Sequence, residues 1–238
     1  MTLQEFFTEH PKAALGCSGG VDSSYLLWAA VNAGADIAPY YIQTAFQPAF
    51  ELEDAQRLCA QIGVKLNVIR LDALADPRVA ANPANRCYYC KVGLFGALRA
   101  RAKADGYDLL LDGTNASDDA GDRPGMKALR ECGLTKAMIR QESRKAGLFT
   151  WDKPAYACLA TRVPTGRTIT SELLRRVEGA ETALFALGFT DFRVRLYGEA
   201  ARLQLPEGQL AKAVEQRQAI RQALAPWFDV VLLDTQTR

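Results

Sequence analysis

The chain has 238 residues, 49% hydrophobic and 24% charged, the proportions of a protein that folds around its own apolar core. Twenty-nine Lys and Arg against 27 Asp and Glu leave a net charge of +2, so no strong field marks a nucleic-acid or membrane partner. No run approaches the roughly 18 apolar residues that span a bilayer, and "MTLQEFFTEHPK" lacks the basic start and apolar stretch of an export signal. A cytoplasmic address is the expectation. There the six cysteines, Cys17, Cys59, Cys87, Cys90, Cys132 and Cys158, stay reduced, which favours ligand and catalytic roles over disulfides. His10 is the single histidine, so a histidine-based mechanism finds little support.

The first half alternates strands with helices. "AALGC" (13–17) reads as a short buried strand and "DSSYLLWAAVNAG" as a helix closed by Gly34. "DIAPYYIQTAF" is a second strand, "AFELEDAQRLCAQIG" a helix ending at Gly63, and "VKLNVIRL" a third strand by its alternation. After a loop rich in Asn, Pro and Ala, "YYCKVGLFGALRARAKADG" is helical and "YDLLLDG" a fourth strand. Strands separated by helices of this length predict an α/β fold with a doubly wound parallel sheet. Helices are expected over 124–131 and 135–146, the second capped by Thr135 and closed by Gly147.

Residues 148–169 are irregular, with Pro154, Pro164 and Gly166, and place a boundary between a domain over 1–155 and a small α+β domain over 156–238. The second domain reads as a helix (170–187), strands "DFRVRLY" and "AARLQLP", a helix (207–223) and a strand "WFDVVLLD". From residue 171 onward its nine Lys and Arg balance nine Asp and Glu.

"SGGVDSS", running Ser18, Gly19, Gly20, Val21, Asp22, Ser23, Ser24, sits where the first strand meets the first helix of the sheet. Two glycines let backbone N–H groups approach phosphate oxygens, and the helix N-terminus favours an anion. No Gly-Lys-Ser/Thr follows, so it is not a Walker loop, and the three-glycine Rossmann spacing is absent. A glycine turn with a good helix cap is the plain alternative. Thr114 and Asn115, in "DGTN" after the fourth strand, fall at the carboxyl ends of the strands, where open α/β sheets bind ligands.

"SGGVDSS" resembles the PP-loop of the ATP pyrophosphatases, which implies an adenine nucleotide alpha hydrolase-like fold and cleavage of ATP to AMP and pyrophosphate. Three further stretches, "NPANRCYYCK" (82–91), "DGTNASDDAGDRPGMKAL" (112–129) and "WDKPAYACLATRVPTG" (151–166), are similar to the LarE family of ATP-dependent sacrificial sulfur transferases. The likeness covers roughly residues 12–205. Two departures concern the sheet edge or the oligomer: "ECGLT" is compressed, and "LLDTQTR" has no glycine-containing tail.

Among the cysteines, Cys59 shares a helix face with Leu52, Ala55, Leu58 and Ile62 and reads as a core thiol, as does Cys17 in the first strand. Cys132 ends a helix and carries no special signal. Cys87 and Cys90 form one Cys-x-x-Cys pair, with no second pair and no nearby histidine to complete a zinc site. A thioredoxin-like couple would follow a strand directly, and here a loop precedes the pair. Packed thiols remain open. Together with Cys158, the pair makes three thiolates, which suit an iron–sulfur cluster with one iron left open. Lys153 and Arg162 are expected to lower the Cys158 thiol.

The resemblance implies that Cys158 is the position whose sulfur is given up, and that members with the extra Cys-x-x-Cys use all three thiols to hold a [4Fe–4S] cluster. The cluster is the expectation here. The likeness also implies Mg2+ and ATP at the loop, with Thr44, Lys91, Gly113, Thr114 and Arg123 joining Ser18–Ser24 around the nucleotide. Arg193 and Arg195 project from one face of a strand, and by the likeness they bind substrate with Arg162 and Glu181; solvated charges are the plain alternative. The implied substrate is a small-molecule carboxylate nucleotide, pyridinium biscarboxylic acid mononucleotide, on the route to the nickel-pincer cofactor, handled by a homo-oligomer. A PP-loop tRNA thiolase and a nucleotide-binding module without sulfur chemistry are the alternatives. The neutral second domain, with no basic aromatic platform, weighs against a nucleic-acid substrate.

Overall fold

Apolar strands and amphipathic helices alternate as their periodicity requires. The computed structural model describes residues 1–118 and 125–238. Its elements begin with α1 (Leu3–Glu9), β1 (Lys12–Gly16), α2 (Val21–Asn32), β2 (Asp36–Gln43), α3 (Ala49–Ile62) and β3 (Asn67–Arg70). They continue with α4 (Pro77–Ala80), α5 (Arg86–Ala104), β4 (Leu110–Leu111), α6 (Ala128–Glu131) and α7 (Lys136–Lys145). The remaining elements are α8 (Ser171–Ala186), β5 (Arg193–Tyr197), β6 (Ala200–Gln204), α9 (Leu210–Glu215), α10 (Arg217–Leu224) and β7 (Val231–Leu233). By its contacts the chain divides into two units, Met1–Asp72 with Tyr88–Ala155, and Ala73–Cys87 with Tyr156–Arg238.

In the first unit four parallel strands lie in the order β3-β2-β1-β4. Alternate residues feed two cores. Ala13, Leu15, Ile37 and Leu111 join Phe6, Leu26 and Leu58 from the helices on one face, whereas Ala14, Ala38, Tyr40 and Leu110 pack with Leu98 and Ala102 of α5 on the other. The sheet is therefore doubly wound. Strand order reverses direction at the β1/β4 neighbours, so the segments that follow β1 and β4 flank the crevice where such sheets take ligands.

The second unit pairs β5 with β6 antiparallel and β6 with β7 parallel. Leu174, Val177 and Leu184 of α8 are buried with Val194, Leu203 and Phe228. The segment 73–87 belongs here: Asn82 accepts from Gly166 N–H and Ala80 from Ile169 N–H, each at 2.8 Å. The helix expected over 207–223 is interrupted at Gln216, whose φ of −89° and ψ of 15° separate α9 from α10. The last strand is shorter than "WFDVVLLD" because Trp227 and Phe228 N–H bond back to Leu224, closing α10.

Candidate functional site

The chain turns sharply after β1 because Gly19 adopts φ +69°. A Cβ at that position would stand 3.2 Å from both Ala55 N and Glu51 O, so the loop lies directly on α3. Ser18 N–H bonds Ser23 Oγ at 3.2 Å, and Ser23 and Ser24 hydroxyls donate to the Gly20 carbonyl at 3.2 and 2.8 Å. Those bonds curl the loop over the start of α2, whose first-turn N–H groups have no intrahelical acceptor. Val21 is buried beneath. Gly113, after β4, approaches closely: a Cβ there would meet Ser23 N at 3.2 Å.

Charged groups then gather on Asp22, in the first turn of α2. Its Oδ1 accepts from Asn115 Nδ2 at 3.3 Å and its Oδ2 from Lys136 Nζ at 2.5 Å. Lys153 binds the Gly19 carbonyl at 3.1 Å and the Asp54 carboxylate at 2.6 Å, fastening the loop to α3. Behind Gly113, Asp112 Oδ1 accepts from Thr114 N–H at 2.8 Å. Asp112 Oδ2 and Thr114 Oγ1 are buried with no hydrogen-bond partner among the described residues. Thr44, at the end of β2, is buried and held through its N–H and hydroxyl by Gln47 Oε1.

In the second unit Cys87 and Cys158 lie within electrostatic reach of each other, and the charge of Arg86 acts on Cys158 as well. Arg86 Nη2 contacts Cys87 Sγ at 3.2 Å. Cys87, Asn82, Ala160 and Thr161 line a cavity of about 190 Å3. Burial pushes the Cys158 thiol above its ordinary value, against the pull of Arg86 and Arg162. Arg162 lowers the thiol as expected, but less than Arg86 does; the net direction is corrected because burial outweighs both, and Lys153 is bound to Gly19 and Asp54. Cys90 lies one turn beyond Cys87 along α5, in the part of the helix assigned to the first unit.

Arg162 and Glu181 pair below Cys158. Arg162 Nε and Nη2 reach Glu181 at 2.8 and 3.2 Å, and Nη1 donates to the Ala157 carbonyl and Thr161 Oγ1, both at 2.8 Å. Glu181 also accepts from Val194 N–H and from the Tyr156 hydroxyl, whose pKa is raised chiefly by burial. Arg193 and Arg195 do share a face of β5. Arg195 Nη1 donates to the Thr161 carbonyl at 2.6 Å, Arg193 Nη1 to Phe192 O at 2.6 Å, and burial brings Arg193 down to about 10.

No family model matches the chain. An uncharacterized protein of Synechocystis sp. is 39% identical over 225 residues, covering 90% of this chain and 83% of that protein. The pyridinium-3,5-bisthiocarboxylic acid mononucleotide synthase of Lactiplantibacillus plantarum is 29% identical over 220 residues, 88% of this chain and 80% of the synthase. The chain belongs to the LarE-type family. An uncharacterized protein of Methanocaldococcus jannaschii is also similar, 28% identical over 225 residues, 92% of this chain and 86% of that protein. As a LarE-type chain it is an enzyme.

Within this LarE-type chain Cys17 and Cys59 are buried as expected. The two thiols are neighbours, and the Cys17 thiol together with burial pushes Cys59 above the ordinary thiol range. Cys132 is half-buried at the end of α6. Lys91 is exposed on α5, Arg123 lies outside the described residues, and the lysines that contact the loop and Asp22 are Lys153 and Lys136. The one sequence signal at Lys136 is a cation directly after the Thr135 cap, at the positive end of a helix. Among the described residues no three His, Cys, Asp or Glu side chains stand together as a metal site, and no helix is long and apolar enough to cross a membrane.

Proposed function

We propose that the protein is an ATP-dependent sulfur transferase that adenylates a substrate carboxylate, releases pyrophosphate, and then exchanges AMP for sulfur to leave a thiocarboxylate. The observation carrying this reading is the "SGGVDSS" turn at the carboxyl edge of a parallel sheet, with Asp22 at its centre, in a LarE-type chain. Residues 1–155 would serve as the ATP pyrophosphatase domain and 156–238 as the substrate and oligomerisation domain of a cytoplasmic homo-oligomer. The substrate is a small carboxylate nucleotide, pyridinium biscarboxylic acid mononucleotide, as the product named for the Lactiplantibacillus relative implies.

In the first step a substrate carboxylate oxygen attacks the α-phosphorus and the bond to the bridging oxygen of pyrophosphate breaks. The first-turn N–H groups of α2 and the Ser18–Ser24 loop favour the charge that leaves. Asp22 and Asp112, whose Oδ2 has no hydrogen-bond partner among the described residues, are the carboxylates that would hold Mg2+. Mg2+ there would neutralise phosphate charge. In the second step a sulfur nucleophile adds to the acyl carbon and the bond to AMP breaks, so that one difficult substitution becomes two easier ones.

Three thiols are a suitable donor set for a [4Fe–4S] cluster, with Cys87 and Cys90 one helical turn apart and Cys158 in the same unit as Cys87. Cys87, Cys90 and Cys158 are the side chains that would hold such a cluster, which would supply inorganic sulfur for the second step. Arg86 favours the thiolate form at Cys158 that any such ligation requires.

Anaerobic purification with iron and sulfide analysis tests the sulfur source; about four of each per chain are expected. An iron-free enzyme that loses one Cys158 sulfur per turnover by mass would overturn the cluster and leave Cys158 as donor. Pyrophosphate exchange that stays silent with every carboxylate nucleotide would overturn adenylation itself.

A further inference from the structure

The cavity of about 190 Å3 in the second unit is lined by Cys87 and by Ala160 and Thr161, on the turn that Cys158 begins. It is smaller than the ~300–1,000 Å3 of sites that engulf a whole ligand, so it takes one arm of a larger molecule. Its neutral polar groups are committed to the wall. Asn82, held at φ +54°, donates its amide to the Val163 and Pro164 carbonyls, and the Thr161 hydroxyl donates to the Cys158 carbonyl at 2.8 Å. Those groups set the shape. The charge comes from Arg86, a residue 6% exposed, and none of the residues lining the cavity is acidic. Arg86 also opens α5, a helix of 19 residues whose dipole adds to the positive potential there. A small cationic cavity beside two thiols selects an anionic group, and a guanidinium fork matches a carboxylate.

The substrate of the reading above carries two carboxylates on one rigid pyridinium ring. One nucleotide site adenylates one of them at a time. The ring holds the other at a fixed distance, and its charge needs a cation once water is displaced. A carboxylate and a thiocarboxylate are both monoanions with two acceptor atoms on one carbon, so the same fork receives either. One cavity therefore suits the waiting arm both before and after its own turn.

We propose that this cavity holds the arm of the substrate that is not reacting, and that Arg86, gripping its carboxylate, selects a dicarboxylate over a monocarboxylate. The proposal rests on the sulfur-transfer reading above and adds a specificity residue to it. The pull of Arg86 on the Cys158 thiol is a separate effect. That pull acts whichever nucleotide is bound, whereas the grip acts on the second carboxylate alone.

Calorimetry and pyrophosphate exchange compare pyridinium biscarboxylic acid mononucleotide with nicotinic acid mononucleotide, which keeps the ring, sugar and phosphate but has one carboxylate. Wild type is expected to bind the dicarboxylate about 10- to 100-fold more tightly, the range for a charged hydrogen bond. Arg86→Gln should bring the two affinities within about threefold of each other by weakening the dicarboxylate. Arg86→Lys should keep part of the preference, because an ammonium retains the charge and loses the fork. Ala84→Leu narrows the cavity from its exposed side with Arg86 in place, and should also lower the preference. Equal affinities in wild type overturn the proposal, and exchange activity then leaves the sulfur-transfer reading standing. A preference unchanged in Arg86→Gln, or in Ala84→Leu where the first variant does not fold, overturns it too. Wild type silent in exchange with both nucleotides overturns that reading as well.

Discussion

Arg162 and Glu181 form an ion pair with 0% and 2% of their side chains exposed, joined Nε to Oε1 at 2.8 Å. Glu181 is thus sealed inside, and Arg162 spends its remaining nitrogen on the Ala157 and Thr161 side of the turn that carries Cys158. Removing one partner leaves the other charge buried and alone. Glu181→Ala should cost about 3–5 kcal/mol in a urea titration. Replacing both, as Arg162→Met with Glu181→Leu, should restore much of that stability. It should not restore the grip on the Ala157 carbonyl, so Cys158 in the double variant should be alkylated faster than in wild type.

Cys158 itself should titrate high in metal-free protein. Burial raises its pKa, with Arg86 as the leading opposing charge. A raised pKa means less thiolate at a given pH, so the midpoint of its alkylation profile should lie above that of an exposed thiol. Arg86→Gln removes the main positive neighbour and should move the midpoint further up. Peptide mass mapping after timed iodoacetamide pulses, from pH 6 to 11, follows Cys158 apart from the other cysteines. A midpoint that falls in Arg86→Gln would contradict the electrostatic account.

Hydrophobic periodicity made most of this legible. The alternation of Ala13, Leu15 and Leu111 against Ala14 and Leu110 divides two cores, and a parallel sheet covered on both faces follows from strands that are apolar throughout. "SGGVDSS" and the three cysteines stood out because glycine and thiol chemistry are local signals. Lys136 and Asp54 did not, since each acts on a loop far away in sequence and looks like any surface charge until the fold brings it there. Glu181 reads in sequence as a charge on an amphipathic helix near the β5 arginines, and only the fold shows it turned inward onto an arginine 19 residues earlier. The break between α9 and α10 rests on the backbone of Gln216, and its residue type announces no stop.

Lys153 should matter through shape. It ties the Gly19 carbonyl to Asp54 of α3, at 3.1 and 2.6 Å. Lys153→Met keeps the length of the stem and removes both bonds, leaving Asp54 without its cation. A loss of about 1.5–3 kcal/mol is expected by thermal or urea unfolding. Nucleotide affinity should fall with it, and Asp54→Asn should reproduce part of both effects because the Gly19 bond survives. Lys153→Met with unchanged stability would show that the contact is not held in solution.

Gly19→Ala separates two consequences of the same residue. At φ +69° any side chain is strained, a penalty of about 1–2 kcal/mol by itself. Gly34 offers the comparison, with φ +78° and nothing within 4 Å of the added carbon. Gly34→Ala should therefore lose only the conformational term, seen as a small drop in melting temperature with nucleotide binding intact. At Gly19 the carbon also meets Ala55 N and Glu51 O at 3.2 Å, and both are backbone atoms of α3 that cannot rotate aside. The loop must lift instead. Lifting moves Ser18 off Ser23 and tilts the N–H groups that start α2, so Gly19→Ala should bind an ATP analogue at least about tenfold more weakly than Gly34→Ala. Calorimetry on the two variants, checked for folding by circular dichroism, decides it: equal affinities would mean that the loop's seat on α3 does not shape the phosphate site.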